Sequence, residues 1–213
     1  MGVRCYIAGA GEFISRFLPE RGDFIIAADA GYENLSAHGY TPDLVVGDFD
    51  SLGSAPDHPN VIHTPAEKDD TDVMLAVKHG FAHGCTSFLI NGGLGGQLDH
   101  TLANIQIAGY ISRKGSRCVL IGRDICVTAV TNGSVGFLPQ ASGRVSVFCM
   151  GNGAEGVTLS GLKYPLKDAT LTSDHPLGVS NEFTGAPATI TVRDGTLIVT
   201  WDGSPDVIAK GGI

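Results

Sequence analysis

An N-terminal α/β domain followed by an all-β domain is what this sequence predicts, and three observations carry that reading. Short, continuously apolar runs alternate with helix-period segments over the first ~120 residues, as in a parallel sheet whose strands are buried on both faces. From about residue 124 the rhythm changes to short β-like runs separated by turns, with no amphipathic helix between them. Glycine, at 30 of 213 residues, is about twice its usual share of roughly 7%, which suits tight turns and backbone that closely approaches a ligand. Together these predict a parallel, doubly wound, Rossmann-like sheet over residues 1–123 and an antiparallel β-sandwich over 124–213.

In the first region the expected strands are 3–8, 24–28, 44–46, 61–63, 87–90 and 118–121. A helix is expected over 71–80, with Val73, Met74, Val77 and Phe81 on one stripe and Asp70 or Thr71 as its cap. A second is expected over 100–114, striped by Leu102, Ile105, Ala108 and Ile111 and closed by Lys114-Gly115. In the second region the expected strands are 125–130, 144–148, 156–159, 189–192 and 197–201. Arg193-Asp194-Gly195 reads as a hairpin turn between the last two. No low-complexity linker and no repeat of 20–50 residues interrupts the chain.

Bulk properties narrow the function. The net charge is −8 and no basic run appears, which argues against a nucleic-acid partner, since such a surface must displace phosphate counterions. The five cysteines are scattered and lack a C-x-x-C pair, so they read as reduced core residues. No run approaches the ~18 apolar residues of a membrane span, and the start has no long apolar segment. The expected setting is cytoplasmic.

The chemistry gathers where strands end, the edge at which ligands bind in a doubly wound sheet. Ala28-Asp29-Ala30-Gly31 follows the second strand and Gly47-Asp48-Phe49-Asp50-Ser51 the third. Glu67-Lys68-Asp69-Asp70-Thr71-Asp72 follows the fourth and opens a helix. Asn91-Gly92-Gly93-Leu94-Gly95-Gly96-Gln97-Leu98-Asp99-His100 follows the fifth and opens another. One such aspartate is ordinarily a turn residue or cap; at four successive strand ends they point to a cation site. An extended loop would turn Asp48 and Asp50 to the same side, and Asp72, with Asp70 near it, would complete a set of oxygen ligands suited to Mg²⁺. The glycine run can lay N–H groups against phosphate oxygens at a helix start. It is neither a Walker A loop nor a G-x-G-x-x-G fingerprint. His79 and His83 share a helical face but lack a third ligand, so they read as a solvated face rather than a zinc site. Ser180 lies outside any G-x-S-x-G elbow.

With these motifs in order, the chain resembles the thiamine pyrophosphokinase (thiamine diphosphokinase) family almost end to end. Gly161-Leu162-Lys163-Tyr164-Pro165-Leu166 and Gly178-Val179-Ser180-Asn181-Glu182-Phe183 extend the resemblance into the second half. The resemblance implies an ATP:thiamine diphosphotransferase with Mg²⁺ as cofactor. ATP and thiamine would give AMP and thiamine diphosphate, in a homodimer whose sites form between one subunit's α/β domain and the other's β domain. It further implies that Asp48, Asp50 and Asp72 hold metal and that Asp29, Asp70 and Asp99 line the same site. Lys68, Gly92, Gly93, Gly95, Gly96, Gln97 and His100 would meet the nucleotide. Ser180 and Asn181 would hold thiamine. Trp201 could stack on thiamine, although a place in the sandwich core competes with that role. The proton acceptor stays open among Asp70, Asp72 and Asp99. The family's G-G-R-x-D-H loop here carries Gln97 in place of arginine, removing a bidentate phosphate contact, and Ala30 stands where a second glycine is common. A pterin acceptor and a non-catalytic binding module are the rival readings.

Overall fold

The fold is described from a computed structural model, in which residues 2–50, 53–65 and 67–209 are described. The chain divides into two compact units, one of residues 1–107 and 120–123, the other of 108–119 and 124–213.

The first unit is built on β1 (Val3–Ala8), β2 (Phe24–Ala28), β3 (Leu44–Gly47), β4 (Val61–His63) and β5 (Cys85–Asn91). Neighbours run in the order β4-β3-β2-β1-β5, every pair parallel. The chain therefore steps outward from β1 to β4, then returns to the other side of β1 with β5. That return is a topological switch point, where the strand ends diverge and leave a crevice. Tyr6, Ala8, Ala27, Val45 and Phe49 are buried on one core with Leu35, which belongs to α1 (Gly31–Ala37). α2 (Asp72–Ala82) is capped by Thr71, whose hydroxyl accepts from the Met74 amide at 3.2 Å, and it buries Ala76, Val77 and Gly80. α3 (Leu98–Arg113) buries Asn104, Ile107, Ala108 and Ile111, while Leu102 is 54% exposed. The buried stripe is thus rotated from the expected one: Asn104 replaces Leu102 because its amide has a partner inside. β6 (Arg117–Ile121) follows α3.

The second unit is antiparallel. It comprises β7 (Ile125–Thr131), β8 (Ser134–Phe137), β9 (Arg144–Ser160), β10 (Leu166–Thr172), β11 (Gly178–Glu182), β12 (Ala188–Thr191) and β13 (Asp194–Asp202). The two expected strands 144–148 and 156–159 are one 17-residue strand, β9. Its first part pairs with β13 and β11, and its second part pairs with β10 and β12. Gly151, at positive φ, lies between the two parts, and Gly156, also at positive φ, lies within the second. The hairpin expected at 193–195 does not form, because β12 pairs with β8 and β9 while β13 pairs with β7 and β9. Residues 192–193 carry the chain from one sheet to the other instead. Phe137, Val145, Val157, Leu159, Ile190, Val199 and Trp201 are buried in this unit's core. None of the five cysteines is in a disulfide, and four are buried. No helix among the described residues is long and apolar enough to cross a membrane.

Candidate active site

In the first unit, strand ends and helix starts surround a cavity of about 580 Å³, within the ~300–1,000 Å³ of small-ligand pockets. One wall is acidic and is made by Asp29 after β2, Asp48 after β3, and Lys68, Asp70, Thr71 and Asp72 at the start of α2. Another part of the lining is glycine-rich: Ala10 and Gly11 after β1, and Gly92, Gly93, Gly95, Gly96, Gln97 and His100 after β5. Three of the four predicted aspartate-bearing strand ends therefore meet, and the fourth supplies the glycine wall.

The glycine wall stands where it does because two backbone segments touch. The Gly9 amide donates to the Asn91 carbonyl at 2.7 Å and the Gly11 amide to the Gly92 carbonyl at 3.0 Å. A Cβ on Gly11 would lie 2.5 Å from the Gly92 oxygen, and one on Gly92 would lie 2.6 Å from the Gly9 oxygen. Gly92 also sits at φ +76°, so both space and conformation require glycine there. Asn91, fully buried, fastens the segment after β1. Its Oδ1 accepts from the Ile14 amide at 2.8 Å, and its Nδ2 lies within 3.0 Å of the Tyr6 hydroxyl and of the Ile14 and Phe17 carbonyls. From α3, Asn104 donates to the Gly93 carbonyl at 2.8 Å. Sequence reasoning missed Gly9, Gly11, Asn91 and Asn104. Their roles depend on β1 and β5 being neighbours and on α3 packing beside the glycine run, which residue spacing does not show.

The acidic wall is organised around Lys68. Its ammonium donates to Asp48 Oδ2 at 2.9 Å and lies 2.9 Å from Asp72 Oδ1, a buried oxygen to which it is out of line for a hydrogen bond. The Lys68 hydrogen bond, then the Asp50 amide, hold Asp48 below its ordinary carboxylate value. Burial pushes Asp72 above its ordinary value despite Lys68. Burial works against the charge on Lys68, but Asp72 and Asp48 outweigh it and raise its pKa. Asp70 pairs instead with Lys78 at 2.6 Å.

Two predicted site residues lie elsewhere. Phe49 takes φ +58°, so the Asp48–Asp50 segment is not extended and the two-residue alternation fails. The Phe49 ring is buried, and the Asp50 amide folds back onto Asp48 Oδ1 at 3.2 Å. Asp50 is exposed and does not line the cavity. Asp99 is exposed as well, its Oδ1 accepting from the His100 amide at 2.8 Å. Ser51 of the same motif lies outside the described residues. Among the described residues no group of three or more His, Cys, Asp or Glu side chains is gathered closely enough to hold a metal. What the acidic wall offers is a pair of carboxylates bridged by a cation, with one buried oxygen lacking a hydrogen bond. That donor set suits Mg²⁺, which prefers oxygen and commonly takes one or two carboxylates plus substrate phosphates.

In the second unit, Ser180 is exposed at φ +58°, its amide donating to Ser146 Oγ at 3.0 Å. Asn181 is buried. Its Oδ1 accepts from the Tyr164 and Glu182 amides, and its Nδ2 donates to the Tyr164 carbonyl at 2.7 Å. Its amide thus sets the Lys163-Tyr164 turn. Trp201 is 1% exposed within the core, its indole N–H donating to the Ser204 carbonyl. This ring is core packing, which corrects the stacking role. His83 stacks on Phe24 with ring centroids 3.7 Å apart.

Comparisons with known proteins agree with these two units. Residues 17–120 match the thiamin pyrophosphokinase catalytic domain, and residues 138–197 match the thiamin pyrophosphokinase vitamin B1 binding domain. Thiamine pyrophosphokinase of Bacillus subtilis (strain 168) is 29% identical over 185 residues, covering 82% of this chain and 85% of that protein. The crystal structure of thiamine pyrophosphokinase from Bacillus subtilis superposes with a TM-score of 0.82 at 25% identity, covering 94% of this chain and 99% of the other. Thiamin pyrophosphokinase from Candida albicans shares the fold at a TM-score of 0.74 and 14% identity, over 95% of this chain and 89% of that one. With both regions matched in order over most of its length, the chain belongs to the thiamin pyrophosphokinase family.

Proposed function

We propose that the first unit's cavity binds the triphosphate of ATP with Mg²⁺, and that pyrophosphate passes there to the hydroxyl of thiamine, giving thiamine diphosphate and AMP. The observation that carries this reading is the pairing of an acidic wall with a glycine wall in one cavity, inside the region that matches the catalytic domain. Phosphoryl transfer asks a protein mainly for positioning and charge neutralisation. Asp48 and Asp72 are the residues that would hold Mg²⁺, with Asp29 beside them in the cavity lining and Asp50 reaching them only if its loop rearranges. Bound there, Mg²⁺ supplies charge neutralisation and orientation of phosphate oxygens. Gly92, Gly93, Gly95 and Gly96 let the nucleotide approach the backbone without meeting a side chain. Gln97 and His100 offer hydrogen bonds at the start of α3, where the helix dipole favours an anion.

The proton of the attacking hydroxyl needs an acceptor. Asp70 and Asp72 line the cavity, whereas Asp99 is not among its lining residues. The second unit supplies the thiamine contact in this reading, through Ser180 and the turn that Asn181 fixes. The complete site then forms in a homodimer, between the α/β unit of one subunit and the β unit of the other, in a cytoplasmic enzyme.

Purified protein incubated with ATP, Mg²⁺ and thiamine is expected to release AMP and thiamine diphosphate in equal amounts. The Asp72→Asn variant should lose at least about 100-fold in kcat, the scale of a lost general base or charge-stabilising group. Folded protein that binds thiamine but releases no thiamine-dependent AMP would overturn the assignment.

A further inference from the structure

Resting on that reading, we propose that Lys68 is the site's built-in counter-ion. Its ammonium takes the place between Asp48 and Asp72 that a divalent cation takes, so the metal enters by displacing it and thereby frees the lysine for the phosphates.

Lys68 lies four residues before Asp72 yet reaches Asp48 on a different strand end, both at 2.9 Å. The three side chains are only 15–21% exposed, so water screens the two carboxylates poorly from each other. Some cation must offset their repulsion for the acidic wall to hold its shape. Asp48 and Asp72 are the carboxylates that would hold a hard dication, which prefers oxygen ligands. An ammonium cannot stay on those atoms beside it, because two cations would then share one small space. The displaced lysine has a flexible four-carbon stem in a cavity whose lining includes the glycine loop. Among the described residues no other lysine and no arginine lines that cavity, so a polyphosphate entering it finds Lys68 as its cationic partner. Metal and nucleotide then assist each other. Metal releases the lysine, and phosphate draws the lysine off the metal's oxygens; thermodynamic linkage makes the assistance mutual.

The test measures Mn²⁺ affinity of nucleotide-free protein by electron paramagnetic resonance. Lys68→Met keeps the stem and removes the competitor, so it is expected to bind Mn²⁺ about tenfold more tightly than the unaltered protein, the effect of one displaced neighbouring charge. Lys68→Arg should stay within about threefold of it. Unchanged or weaker binding by Lys68→Met, or no Mn²⁺ binding by either protein, overturns the proposal. A second measurement needs no variant: amine labelling of Lys68, read by mass spectrometry, should rise when Mg²⁺ alone is added. Labelling that stays constant or falls overturns it equally. The outcome is separable from the enzymatic reading. Product formation with a negative Lys68 result removes the counter-ion role only, and tighter Mn²⁺ binding without product formation removes the thiamine reaction only.

Discussion

At the scale of single residues, the side chain with the widest reach is Asn91. It is apolar in surroundings and fully buried, and all of its hydrogen-bonding capacity goes into holding the segment after β1 against the glycine loop. Asn91→Leu keeps the size but strands the Ile14 amide and takes one donor from each of the Ile14 and Phe17 carbonyls, which keep the Phe17 amide and the Tyr6 hydroxyl. Buried groups left unpaired cost about 1–3 kcal/mol each, so a loss of about 3 kcal/mol in thermal or denaturant unfolding is expected. Because the glycine wall moves with that segment, KM for ATP should rise more than kcat falls. The aspartates were legible in the sequence because acidic residues at consecutive strand ends need a reason. Asn91 was not, since its partners lie 74–85 positions away. The Asp48–Asp50 alternation failed for a local reason: an extended loop was assumed, and burial of the Phe49 ring is instead reached through a left-handed backbone.

Among the elements, α2 joins cap chemistry to the site. Thr71 caps the helix and its neighbour Asp72 is the buried carboxylate of the acidic wall, so a frayed cap displaces the carboxylate. Thr71→Ala should cost about 1 kcal/mol of stability, and it should lower activity where an exposed cap elsewhere would not. Thiamine diphosphate formation, measured on folded variant protein, checks this. The strands β2 and β3 were readable because their residues are apolar on both faces, as a covered parallel sheet demands. α1 was passed over because in GYENLSA only Gly31 and Leu35 are buried, too few for a stripe. β10 and β11 (LKDATLT and GVSNE) went unseen because they are largely exposed and polar. Glycines at 151, 153 and 156 made one long strand look like two.

For the whole molecule, two family regions in one chain raise the question of which subunit serves which. If each site takes its α/β unit from one subunit and its β unit from the other, two inactive variants should rescue each other. Asp72→Asn mixed with Asn181→Ala, exchanged through mild denaturant, should recover about a quarter of the unaltered activity. That figure follows from random pairing in a two-fold dimer, where half the dimers are mixed and each has one intact site. No recovery from a mixture shown to exchange subunits would place each site within a single chain. Analytical ultracentrifugation of the unaltered protein supplies the mass against which this is judged.

The 17-residue strand β9 bears on how the β unit comes into being. Strands on both sides of its glycine-containing stretch pair with it, so it joins the β7–β13 pair and the β8–β12 pair into one unit. Its partner β13 lies far from it in sequence, which places much of the ordering cost before that long-range pairing is rewarded. This unit is therefore built to fold slowly and to open as one piece. Damage along β9, wherever it falls, shortens the lifetime of both sheets together.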